Sequence, residues 1–487
     1  MSGTEKLEQP DAPRRAGIVA LKLAIVLLLT SVMVVLILRH TPRVNGPIYW
    51  TWSWRRLPAL RLYGTMALAF VPFVVAHVMR DRGRIGRRAA IGLVMLSTLA
   101  LQLAAIAAQP PGGMGGLKRL AMIVQNSVNT SYYNAADVLV KEMQAGASYR
   151  DWMEIYPQLM EMLMLHAGYK PPGLILYYIG MINLFGAGDG AALAGGLLIA
   201  LLATAGVGAT YALIRYFGGD EPAAFCGASF FALCPSLILF LPQFDQVYPA
   251  LGCLLLITWA AALRPGGRPY AFAFGALLAL LLFATSMFLM LGVFLAVYTL
   301  LHVSDSGAAG LKRAIERSLI VLVTIVVLYL LLHAATGFDM IATFNMSTAR
   351  AESIIVDLGR PWPLHSAWDV YDVGLGTGWI SYPLAAAGAF AAWRSGGGWR
   401  SPMGRLVFLG LLQITMALAV SIFPGENARL MLWAMPMLMA PIGLELSRNW
   451  PPAARLSVYV CLWLSTVVIC QNMTFLYMGP ELDGPRS

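Results

Sequence analysis

Apolar residues in this chain gather into long uninterrupted runs, and polar residues are confined to the intervals between them. Crossing the hydrocarbon layer takes about 20 predominantly apolar residues in a helix. Runs of that kind begin near residues 18, 62, 89, 173, 190, 221, 246, 269, 286, 317, 376, 404, 428 and 455. The pattern predicts an all-α integral membrane protein, a polytopic bundle of about 12–14 transmembrane helices. The first run, Ile18 to Leu38, follows Arg14 and Arg15 and is longer than the apolar core of a cleaved leader. It is read as a retained helix with the N-terminus in the cytoplasm.

Charge then orients the runs. Arginine and lysine cluster at Arg80 to Arg88, at Lys312, Arg313 and Arg317, at Arg394, Arg400 and Arg405, and at Arg448 with Arg455. Short basic connections face the cytoplasm, so the longer polar stretches, 109–171 and 339–375, fall on the outer face of a bacterial-type inner or plasma membrane. The division expected is a cytoplasmic tail (1–17), two N-terminal helices joined by an aromatic and arginine-rich loop (18–88), a transmembrane module containing the 109–171 loop (89–338), a second outer loop (339–375), C-terminal helices (376–475) and a tail (476–487). One conflict arises. With Arg215, Arg264 and Arg268 inside, only one net crossing fits between Pro172 and Arg215, where the apolar pattern shows two segments. Either one segment is re-entrant, lining a protein-buried cavity near Pro171 and Pro172, or the charge rule fails locally.

Composition agrees. Of 487 residues 59% are hydrophobic and 12% charged, against about 25% charged in soluble domains. The net charge of +10 resides in the cytoplasmic connections, which argues against a nucleic-acid partner. Cys226, Cys234, Cys253, Cys461 and Cys470 all lie within apolar runs and read as packing. The 109–171 loop holds two helical patterns, Tyr132 to Met143 and Tyr149 to Leu165, amphipathic enough to lie on the membrane surface. The second carries Met153, Met160, Met162 and Met164, expected to pack on the bundle.

Four outer features carry chemistry. Pro47 to Pro58 interleaves three tryptophans and a tyrosine with Arg55 and Arg56; it reads as an aromatic belt or as a grip on a lipid phosphate. His166-Ala-Gly-Tyr-Lys170-Pro171-Pro172-Gly173 holds the chain extended ahead of an apolar helix ending in Leu-Phe-Gly186. Asp245, between Pro242 and Pro249, opens another helix, where a carboxylate serves equally as a cap. The 339–375 loop, with His365, Asp369 and Asp372, reads as a solvated connection or as the cover of an acceptor groove.

Taken in order, Tyr132-Tyr133-x-x-Ala136, the Lys170-Pro171-Pro172-Gly173 turn, the Asp245 segment and Gly425-Glu426-Asn-Ala-Arg429 through Pro436 resemble the GT-C superfamily of polytopic glycosyltransferases, including bacterial aminoarabinose and protein mannosyl transferases. The resemblance covers about residues 89–446. It implies a GT-C-like bundle with amphipathic loop helices on its outer face, and a hexosyl or pentosyl transferase. The donor implied is a polyprenyl-phosphate sugar and the acceptor a lipid or glycan, with inversion at the anomeric carbon on the extracytoplasmic side. Such chemistry needs a general base and cations for the leaving phosphate. The cations expected are Lys170, Arg429, Arg55 and Arg56, with Glu426, Tyr133 and His166 lining the donor site.

The base stays open. The superfamily's acid should fall at residues 126–129, which read Asn-Ser-Val-Asn, and an amide takes no proton at neutral pH. Asp137 or Asp151 from the same loop replaces it, or Asp245 or Glu426 does, or catalysis is lost. No metal site is evident by spacing, and no cofactor is certain; a divalent cation between Asp245 and a loop carboxylate stays open. The competing functions are a catalytically inactive homologue that binds lipid-linked sugar and a transporter or lipid flippase. Transporters carry ionisable groups near the middle of their spans, where this chain has almost none.

Overall fold

The computed structural model describes residues 12–41, 52–54, 56–109, 116–126, 131–357, 363–394, 398–420 and 426–475. The chain is an all-α polytopic membrane protein: among the described residues nine helices are long and apolar enough to cross a bilayer. The N-terminal part comprises α1 (Ala12–Leu38), strand β1 (Trp52–Trp54), α2 (Ala59–Asp81) and α3 (Arg87–Ala108). The 109–171 stretch folds into α4 (Gly116–Asn126), α5 (Tyr132–Gln144), α6 (Tyr149–Glu154), α7 (Tyr156–Leu159) and α8 (Leu165–Gly168). The single helix expected over Tyr149 to Leu165 is therefore broken, and α4 was not anticipated. Only half of the methionine stripe packs inward: Met153 and Met160 are buried, Met162 and Met164 exposed.

Next come α9 (Gly173–Phe185), α10 (Asp189–Tyr216), α11 (Glu221–Ala232), α12 (Pro235–Leu239), α13 (Tyr248–Ala262), α14 (Arg268–Leu282) and α15 (Gly292–Thr336). Helix α15 is broken at Gly307, whose positive φ of 59° glycine alone accepts readily. The 339–375 region forms α16 (Met340–Asp357) and α17 (Leu364–Thr377), and the chain ends in α18 (Ser381–Arg394), α19 (Pro402–Val420), α20 (Asn427–Leu430), α21 (Met435–Asn449), α22 (Pro452–Asn472) and strand β2 (Met473–Phe475). The two strands pair antiparallel, Trp52 opposite Phe475.

Burial grades from the centre outward. The span Asn427–Asn449 is 89% buried, whereas Ser286–Thr336 is 6% buried and presents Leu322, Val326 and Leu330 outward. Those side chains face lipid, which is as apolar as they are, so helix association must come from close packing. Helices α11 and α21 show it: a Cβ on Gly443 would lie 2.2 Å from the Ala223 carbonyl oxygen, and one on Gly227 2.6 Å from that of Met439. Only glycine lets these backbones touch.

Of the two segments between Pro172 and Arg215 the first is the short one. Helix α9 has 13 residues, a rise of about 20 Å, too short for a ~30 Å layer. Its two ends are tied down: Gly173 N–H donates to the Phe283 carbonyl at the end of α14, and the Gly186–Gly188 turn is fastened to Tyr133 of α5. Left-handed φ values of 76° at Gly186 and 110° at Gly188 reverse the chain. Helix α10 follows, 28 residues long with Arg215 in its last turn, long and apolar enough to cross a bilayer.

Candidate functional site

One end of the bundle gathers a cluster of buried ionisable groups. A 3-10 turn, Phe244–Gln246, precedes α13 and holds Asp245 at 2% exposure. Arg429 sits on the four-residue helix α20, also 2% exposed, its Nε 3.5 Å from Asp245 Oδ2. Glu426, three residues earlier, pairs with the other face of the same guanidinium. A guanidinium so enclosed presents a fixed, weakly hydrated charge, the form suited to gripping a carboxylate or phosphate.

Lys170 is the fourth member. The double proline that follows it supplies no backbone donors, and the Lys170 carbonyl is fixed by the Tyr156 hydroxyl at 2.8 Å. Helix α16 clamps the preceding turn: Arg350 donates to the carbonyls of Met160, Leu163 and Gly168, and Ser347 to that of Tyr169. The Lys170 ammonium is buried, which pushes its pKa down; Asp245 opposes the shift, Arg429 adds to it and Glu426 opposes it. His166 is buried too, and desolvation, then Arg429 and Lys170, push its pKa well down, leaving a neutral imidazole. From the other side Tyr132 packs edge-on against Phe244, and burial raises its phenol pKa, with Tyr248 and Asp245 adding to the rise. The Tyr132 segment, the double-proline turn and the Arg429 turn thus converge.

Helix α17 closes the cluster, and here the sequence reading fell short. It favoured a solvated connection, but His365, Asp369 and Asp372 are all buried. Asp372 accepts the Trp52 indole N–H at Oδ1 (2.7 Å) and the Ala428 amide at Oδ2 (2.8 Å). Burial raises its pKa to about 7 against the pull of those two hydrogen bonds, with the charges of Asp369 and Glu426 adding to the rise. The signal was present: His365, Asp369 and Asp372 are spaced four and three apart, one face of a helix.

Other expected site residues lie elsewhere. Tyr133 accepts the Gly188 N–H at 2.7 Å and donates to the Gly188 carbonyl at 3.1 Å, so it anchors the α9–α10 turn. Asp137 pairs with Lys141 one helical turn on, at 2.6 Å, on the outer face of α5. Asp151 is exposed in the first turn of α6, whose amides Ser148 caps. Arg56 is exposed beside the β1 strand, while Arg55 and the Ser127–Asn129 stretch lie outside the described residues. Among the described residues no group of three or more His, Cys, Asp or Glu could hold a metal ion, so the Asp245 neighbourhood offers no such ligand set for a divalent cation.

No protein-family model matches the sequence, and no curated protein matches it. Among solved structures the chain is similar to ArnT from Cupriavidus metallidurans in the apo state, at TM-score 0.43 and 15% identity, covering 70% of this chain and 73% of that one. It is also similar to ArnT from the same organism bound to undecaprenyl phosphate, at TM-score 0.48 and 14% identity, covering 81% of this chain and 77% of that one.

Proposed function

We propose that this chain is a GT-C-type membrane glycosyltransferase that moves a sugar from a polyprenyl-phosphate donor to a lipid or glycan acceptor at the outer-loop end of the bundle. The observation that carries the reading is the convergence of Lys170, Asp245, Glu426 and Arg429 from three separate segments. An acceptor hydroxyl gives its proton to a carboxylate, Asp245 or Glu426, as its oxygen attacks the anomeric carbon. The bond from that carbon to the phosphate oxygen breaks with inversion, and the lipid phosphate leaves with the electron pair, stabilised by Arg429 and Lys170. Two fixed cations beside two carboxylates suit both halves of this exchange. A midplane transport route finds no comparable support.

The test uses the full chain in nanodiscs with undecaprenyl phosphate glucose, mannose and arabinose as donors and a cell-envelope lipid extract as acceptor. Release of free undecaprenyl phosphate from one donor, lost in Asp245→Asn with Glu426→Gln, supports the transferase. Binding of donors with no release identifies an inactive lipid-sugar binder, and neither binding nor release removes the proposal.

A further inference from the structure

At the opposite end of the molecule lies a second, unrelated concentration of charge. The start of α2 meets the end of α22, where Tyr63 Oη donates to Gln471 at 3.0 Å. The end of α2 and the start of α22 therefore lie a helix length away, about 34 Å for 23 residues. There a cavity of about 660 Å³ opens, walled by Arg80 and Asp81 of α2, Arg87 of α3, Glu221 of α11, Ser447 of α21 and Arg455 of α22.

Its charges are held, not loose. Arg80 pairs with Glu221 at 2.5 Å and stacks over the Phe225 ring at 4.1 Å. Arg455 pairs with Asp81 at 3.4 Å and rests against Cys226 Sγ at 3.6 Å. The Arg455 Nε is buried and has no hydrogen-bond partner among the described residues. Arg87 has no ion-pair partner among them either, so the lining carries three guanidiniums against two carboxylates. The first turns of α3, α11 and α22 meet at this cavity as well, adding the positive ends of three helices. Two guanidiniums pre-oriented by ring stacking and ion pairing, one buried donor unsatisfied, and one unmatched charge at the mouth form a receptor for an anion with several acceptor oxygens.

We infer that this cavity is a binding site for a phosphate-bearing anion, separate from the Arg429 cluster. A basic pocket between helices at a membrane edge recognises phospholipid headgroups by the same chemistry that would recognise free phosphate. Glu221 and Asp81 set the orientation of the cations, and Arg87 and the Arg455 Nε supply the donors that meet the ligand.

The test uses the purified full chain and the variants Arg87→Gln and Arg455→Gln, with Lys312→Gln, a basic residue outside the cavity lining, as control. Native mass spectrometry follows retention of phosphatidylglycerol against phosphatidylcholine, and thermal shift follows inorganic phosphate and pyrophosphate. Preferential retention of phosphatidylglycerol, reduced about fivefold by each arginine substitution and unchanged in the control, supports a headgroup site. A phosphate or pyrophosphate shift lost in the same variants, without lipid preference, supports a soluble anion. Because Arg87 is exposed and unpaired, its variant folds even where Arg455→Gln does not. The inference is overturned where neither probe binds, or where Arg87→Gln binds as the wild type does.

Discussion

The Asp372 carboxylate accepts the backbone N–H of Ala428 at 2.8 Å, one residue before Arg429. A buried acid thereby fixes the turn that aims the guanidinium, while its other oxygen holds the Trp52 indole at 2.7 Å. Replacing Asp372 by Asn puts an amide N–H against one of two donors. The expected loss is about 1–3 kcal/mol, read as a lower unfolding temperature in detergent.

The same residue gives a pH signature. Its folded pKa, about 7, lies above the ordinary 3.8, so between those values the native state binds the proton more readily than the unfolded chain. Stability contributed by that proton is complete below pH 4 and is lost as pH rises towards 7. Unfolding of the wild type should show this decline and that of Asp372→Asn should lack it; parallel profiles would count against the assignment.

Arg429 compensates two buried carboxylates, Asp245 and Glu426. Arg429→Gln leaves both uncompensated, a change worth about 3–5 kcal/mol when one partner of a buried pair is removed. Arg429→Lys keeps the charge without the planar fork and is expected to recover stability only in part. Undecaprenyl phosphate binding should fall in both, which titration of the purified variants measures.

Lys170 makes opposite demands on stability and on binding. Its lowered pKa means the unfolded chain keeps the proton to higher pH, so stability rises as pH climbs from the lowered value towards 10.5. Phosphate affinity falls over the same window because the cation is neutralised. Lys170→Met should abolish both trends, and a phosphate-lipid titration repeated across the alkaline range decides it.

Asp137 and Asp151 stand apart from the cluster, one paired with Lys141 and the other exposed. Asn at either position is expected to leave donor turnover within about twofold, since surface substitutions of this kind change stability by no more than ~0.5 kcal/mol. A loss of a hundredfold or more in Asp137→Asn would move the base back to the loop.

Much of this architecture is legible in the sequence because lipid as solvent leaves few choices: apolar length dictates which helices are long enough to span. Legibility failed where tertiary contact decides. Tyr132 and Tyr133 are neighbours of one type, yet one faces Asp245 and the other the Gly188 turn, which only the phase of α5 on α9 determines. Asp137 and Asp245 are equally good carboxylates on paper; burial separates them. Asp372 was hidden because a short helix with two acids, a histidine and two aromatics mixed in reads as loop until something covers it, and what covers it comes from Trp52, far away in the chain.

The pairing of β1 with β2 ties an early segment to a late one. During synthesis Trp52 emerges long before Met473, so the strand that seats its indole against Asp372 has no partner until nearly every span has been inserted. A chain cut short before Met473 would hold both Asp372 and the Arg429 turn yet lack the strand that partners Trp52.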